Sequence, residues 1–181
     1  MLYLPDDWTA MRQALHTWVQ TVLGPEWTVI WSQQAAPSPP FPYATLTLLT
    51  LPEKLGQPSA RLVDTGATIE EHVTYDAELT LSVQLFGGGD SWVYVTNLEA
   101  SSKRADIREL LDAAGWAPRS VVGRQFLDRV MGADWEPRTV LDRRLGCVVR
   151  VRRPGADFID PQTILATLTA ADGVIVGELG A

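Results

Sequence analysis

Six arginines, Arg138, Arg143, Arg144, Arg150, Arg152 and Arg153, fall in one short stretch of the chain. A guanidinium is the side chain best shaped to hold a carboxylate through two parallel hydrogen bonds, so the first chemistry the sequence offers is recognition of acids. Read functionally, the six form a row of cations aimed at carboxylates on a neighbouring subunit. Read structurally, they are a solvated strand face partly paired with Asp76 and Glu78 on an adjacent strand, where each exposed pair contributes about 0–1 kcal/mol. The residues themselves leave both readings open.

Other groups that could do chemistry lack the company it needs. Gly87, Gly88 and Gly89 follow a strand-like run, but no Lys-Ser or Lys-Thr comes after them and the Gly-x-Gly-x-x-Gly spacing is absent, so a plain turn is favoured over a phosphate loop. Cys147 is the single cysteine, and with only His16 and His72 beside it in composition there is no zinc-type cluster and no internal disulfide. Cys147 alternates with Leu145, Val149 and Val151, which makes it a small buried hydrophobe. His16 has no carboxylate or second histidine one turn away and reads as a surface or boundary residue. Glu70 with Glu71 and Asp134 with Glu136 are loop acids without an implied pocket. Gly-x-Ser-x-Gly, His-Glu-x-x-His and Cys-x-x-Cys are missing, so no catalytic, cofactor-binding or metal-binding residue is expected and the chain does not read as an enzyme.

Composition narrows the partners. At 181 residues and 46% hydrophobic content, the chain suits one domain, residues 1–181, around one core. No stretch approaches the ~18–20 apolar residues that span a bilayer, and MLYLPDDW lacks the basic flank and apolar run of a signal peptide. The expectation is a soluble protein kept in a cytoplasm-like compartment, with no membrane contact. A net charge of −7 argues against a protein that grips nucleic acid through phosphates. Residues 1–100 hold 3 basic and 11 acidic side chains while residues 101–181 hold 12 and 11, an asymmetry that suits copies meeting through opposite faces and equally a folded domain that mixes the two halves on its surface.

The elements that must position these groups follow from periodicity. Asp6 and Asp7 can cap a helix with Trp8, Met11, Leu15, Trp18, Val19 and Val22 at helical spacing, stopped by Gly24 and Pro25. Strands are predicted over Thr28–Gln34 and Tyr43–Leu51, joined by a hinge in which Pro37, Pro39, Pro40 and Pro42 exclude helix and ladder alike. Pro52 to Thr68 reads as a long loop or an extended hairpin arm. Tyr75 to Phe86 alternates most clearly, Leu79, Leu81, Val83 and Leu85 on one face and Glu78, Thr80, Ser82 and Gln84 on the other. Asp90 to Glu99 is in conflict, because Trp-Val-Tyr-Val favours a strand while Asp90 and the spacing of Trp92, Val95 and Leu98 favour a helix. A helix starting at Ser101 or Ser102 carries Ile107, Leu110, Leu111 and Ala114 and ends at Gly115. Trp116 to Gly123 and Phe126 to Met131 read as edge strand and connection, Arg138 to Arg153 as a long strand, and Ile164 to Leu168 with Val174 to Val176 as a short apolar tail.

On residues alone the reading is an α/β domain that assembles. The order of its features resembles the bacteriophage tail (neck) terminator proteins of long-tailed phages. The resemblance rests on an N-terminal amphipathic helix, then VIWSQQAAPSPPFPYATLTL, VQLFGG, helices, and WEPRTVLDRRLGCVVRV. Within these, Gln33, Gln34, Pro37, Pro39, Pro40, Pro42 and Tyr43 match the family's strand, proline hinge and second strand. Trp135, Glu136, Arg138, Leu141 and Asp142 match its lead into a basic strand. The chain departs from the family's alanine-rich helix at Asp90 to Thr96, so a helix over Ser91 to Ala100 rests on the resemblance and on Asp90.

The resemblance implies an α+β fold, a mixed, mainly antiparallel sheet backed by two or three helices. It implies a structural virion protein, made in the host bacterial cytoplasm, that forms a homo-oligomeric ring of six on the head-proximal end of the tail tube. Such a ring ends tube polymerisation, contacts the tail tube protein and a head-tail connector or stopper protein, and lets DNA pass without specific binding. The arginines at 138, 143, 144, 150, 152 and 153 then become interface candidates. Another head-tail joining component, a stopper or completion protein, is the alternative within the class. A small hydrolase or ligand-binding domain near Gly87 to Asp90 is the alternative outside it.

Overall fold

A computed structural model describes residues 8–33, 37, 39–50, 53–64, 69–87, 90–127, 129–131 and 134–154, with backbone alone for 129–131, 134–136 and 152–154. The expected caps Asp6 and Asp7 and the apolar tail beyond residue 154 lie outside these residues. Helix α1 spans Trp8–Leu23 and buries Met11, Leu15, Trp18, Val19 and Leu23 along one side, the stripe its spacing dictates. Its end is set by Gly24 at φ +91°, and Gln20 closes the turn by donating to the carbonyls of Gly24 and Trp27. His16 sits at the boundary, its Nε2 2.9 Å from the Val29 carbonyl, and ties the helix to the first strand.

Strands β1 (Thr28–Trp31), β2 (Tyr43–Leu48), β3 (Glu53–Asp64), β4 (Ile69–Phe86), β5 (Trp116–Phe126) and β8 (Arg138–Pro154) form a mixed, mostly antiparallel six-stranded sheet in the order β1-β2-β4-β8-β5, with β3 paired to β4. Short strands β6 (Arg129–Met131) and β7 (Asp134–Glu136) pair separately. Helices α2 (Ser91–Ser101) and α3 (Ala105–Ala113) complete an α+β fold. The proline hinge does what its chemistry requires, carrying the chain from β1 into a strand parallel to it, Thr28 opposite Tyr43. In the β2–β4 register Ala44, Leu46 and Leu48 face Leu85, Val83 and Leu81, and this side of the sheet meets the helices.

Several boundaries differ from expectation. β1 stops at Trp31, with Ser32 and Gln33 in a turn, and β2 stops at Leu48. Most of Pro52 to Thr68 is strand β3, so the hairpin-arm reading holds for its described residues and the loop reading does not. β4 begins at Ile69, six residues before the alternation becomes legible, because that part is half-buried on both faces and carries no contrast. α2 is helix despite Trp-Val-Tyr-Val, yet Trp92 is 55% exposed and the buried side is Ser91, Val95, Leu98 and Ser101. Ser101 ends α2 and does not open the next helix: its hydroxyl accepts from Trp18 Nε1 at 2.8 Å and donates to the Leu98 carbonyl at 2.7 Å. With Ser101 so engaged, α3 starts three residues beyond Ser102, where Arg104 pairs with Asp106 and holds its carboxyl below the usual range.

Packing divides the chain into two units, Met1–Ser59 with Val73–Val151 and Ala60–His72 with Arg152–Ala181. The first holds the core, led by Trp18, Trp116, Leu46, Leu81, Leu98 and Leu141. Within the described part of the second, Glu70 and His72 pair at 3.0 Å. Gly87, directly after β4, adopts φ +77°, and a Cβ there would sit 3.0 Å from Phe41. Gly87→Ala is therefore expected to cost about 1–2 kcal/mol through left-handed backbone strain and the displaced ring, read as a lower urea midpoint at unchanged m.

Candidate functional site

The alternation of β8 sorts the six arginines by parity. Odd positions carry Leu141, Leu145, Cys147 and Val149 into the core, and Arg143 goes with them. Even positions, Arg138, Arg144 and Arg150, share the opposite face, which is the open side of the sheet. The structure thus does not gather the six into one row. Side chains of Arg152 and Arg153 lie outside the described residues.

Arg143 is 7% exposed. Its Nη1 donates to the Glu99 carbonyl at 3.2 Å, its Nη2 to the Arg119 carbonyl at 3.1 Å, and the guanidinium lies 5.9 Å from the Trp18 ring centroid. Burial lowers its pKa from the ordinary guanidinium value, and the nearby Glu99 opposes that shift. The Glu99 carboxylate is itself paired with Arg124 of β5. Arg143 therefore fastens α2 and β5 to β8 from inside.

On the open face Arg138 donates through Nη2 to Gln84 and covers the Phe86 ring at 5.3 Å. That ring continues a column: Phe86 on Tyr43 at 4.6 Å and Tyr43 on Phe41 at 5.5 Å. Six residues along, Arg144 Nε approaches Glu78 at 3.4 Å. Partners 84 and 78 descend as 138 and 144 ascend, so β4 and β8 run antiparallel. Glu78 also receives Arg119 of β5, Nε at 3.6 Å. Of the two acids expected opposite the basic strand, only Glu78 pairs with it; Asp76 is exposed and makes no ion pair among the described residues. Arg150 is exposed and likewise has none there.

Arg119 and Gly146 carried no sequence signal. Ala117 stands opposite Gly146, and a Cβ on Gly146 would lie 2.7 Å from Arg119 Nε. The missing side chain is what lets Arg119 cross β8 to reach Glu78 on the far strand. Register shifts between Pro118 and Gly123 hide this alignment from any periodicity argument. Nearby, an open groove of about 240 Å³ is lined by Asp76, Asp112, Trp116, Arg119 and Cys147. Burial raises the Cys147 thiol pKa, which fits a packed residue and not an activated nucleophile. Among the described residues no His, Cys, Asp or Glu group could hold a metal, and no helix is long and apolar enough to cross a membrane.

What the arrangement can do is present guanidiniums to another surface. No curated protein sequence matches the chain. A family model described as phage neck terminator protein matches residues 9–176, from the first turn of α1 to near the C-terminus. That family is structural and belongs to the virion tail, where it serves the joining of tail and head. With nearly the whole length matched, the chain belongs to the phage neck terminator protein family.

Proposed function

We propose that the chain closes into a homo-oligomeric ring of six that caps the head-proximal end of the tail tube, stops addition of tube subunits, and presents its other side to the head-tail connector or stopper protein. The observation that carries this reading is the family match over residues 9–176. A heterologous contact that closes is the simplest way for one chain to make such a ring. The net charge of −7 supports it too, since DNA must slide through without being gripped. The role is mechanical, performed without catalysis or cofactor, in the virion neck after synthesis in the host cytoplasm.

Two measurements test it. Electron microscopy of the purified chain with tail tubes should show rings on one tube end, and phage lacking the chain should accumulate tubes beyond normal length. Normal tube length with unjoined heads would reassign the chain to a stopper or completion role. Within this reading Arg138, Arg144, Arg150, Arg152 and Arg153 remain interface candidates, while Arg143 acts through the fold. Arg150→Glu with Arg152→Glu should leave the thermal unfolding midpoint unchanged and reduce infectious particles at least tenfold. Wild-type tail completion by that variant would remove these two from the interface.

A further inference from the structure

Glu78 is one carboxylate shared by two guanidiniums. Arg119 and Arg144 each approach it through Nε, at 3.6 and 3.4 Å, and each side chain is 52% exposed. Neither guanidinium donates a hydrogen bond among the described residues. The trio therefore carries one net positive charge and presents two planar forks with donors still to satisfy, the geometry that takes an incoming carboxylate bidentately. Arg119 is confined there by Gly146, over which it lies.

The β3–β4 hairpin has the opposite need. Every residue of β3 but Val63 is exposed. β3 thus offers an exposed strand beside the half-buried start of β4. It carries Glu53 and Glu71, for which the described residues supply no ion pair, whereas Glu70 is taken by His72. We propose that the Arg119–Glu78–Arg144 trio on the open sheet face receives a carboxylate, Glu53 or Glu71, from the β3–β4 hairpin of a second copy. This rests on the ring reading and names the contact that joins neighbours. A phosphate would fit the same two forks, but a chain of net charge −7 offers a carboxylate from every neighbour and repels a polyanion.

Sedimentation of the full chain, alone and with tail tubes, tests it. Wild type should assemble. Arg119→Gln with Arg144→Gln should weaken assembly at least tenfold. Gly146→Ala, which alters no charge and only displaces Arg119, should weaken it severalfold with circular dichroism unchanged. Glu53→Lys with Glu71→Lys should match the double glutamine variant. The inverted trio Arg119→Glu, Glu78→Lys, Arg144→Glu keeps its internal pairing and should regain assembly only when mixed with, or combined with, the lysine hairpin. Wild-type chain that assembles neither alone nor on tubes would overturn the ring reading itself. Wild-type rings matched by equally stable rings of the glutamine variant would overturn only the trio contact. Failure of the inverted trio to regain assembly with the lysine hairpin would overturn the choice of hairpin. Double-stranded DNA binding by wild type that the glutamine variant loses would assign the forks to phosphate and overturn the proposal.

Discussion

Trp18→Ala is expected to be the most damaging single substitution in the chain, lowering unfolding free energy by about 3–5 kcal/mol, in the range found when a buried aromatic side chain is deleted. Trp18 is fully buried at the centre of α1, and three elements depend on it. Its ring packs in the core, its Nε1 donates to Ser101 at the end of α2, and its face lies under the Arg143 guanidinium. Deleting it opens a cavity and removes a buried donor from Ser101 in one step. For a chain of this length the loss corresponds to a fall in Tm of roughly 10 °C. Trp18→Phe, which keeps most of the volume and loses the N–H, should cost less, about 1–2 kcal/mol. Urea denaturation of both variants at one oligomeric state decides it, and equal losses would mean that the Ser101 bond outweighs the packing.

Arg143→Ala is expected to cost about 2–4 kcal/mol, whereas the same change at its neighbour Arg144 should cost under about 0.5 kcal/mol. The contrast follows from parity. Arg143 leaves two carbonyls, of Glu99 and Arg119, without their donor when removed, and it vacates space above Trp18. Arg144 is half-exposed and its single approach to Glu78 is screened by water. Arg143→Met should fall between, since the aliphatic stem still fills the space although the carbonyls stay unpaired. If the two alanine variants unfolded at the same urea concentration, the internal role of Arg143 would be wrong.

That parity was readable before any coordinates, because position 143 shares its face with Leu145 and Cys147. A cluster of like residues invites reading as one feature, and here the period of the strand divides it. The same period made β4 legible from Tyr75 onward, and helical spacing did so for α1, because in both a covered side contrasts with a wetter one. Where that contrast fades, the sequence falls silent. β3 is exposed on both faces and looks like a loop. In α2 local propensity pulls toward strand, and burial of Val95 and Leu98 against α1 overrides it. Of the trio at Glu78, the pairing with the basic strand was legible and Arg119 was not, since it stands on a third strand whose register is broken between Pro118 and Gly123.

The strand order has a consequence for the timing of synthesis. β8, the last described strand, lies between β4 and β5, which come from opposite sides of α2 and α3 in the chain. Until the ribosome has released residues near 150, β5 has no partner in this sheet and Arg119 has neither Gly146 to cross nor Arg144 to join. The pairing of distant segments is slow to close. A nascent or truncated chain thus lacks the finished trio until β8 has joined β4 and β5.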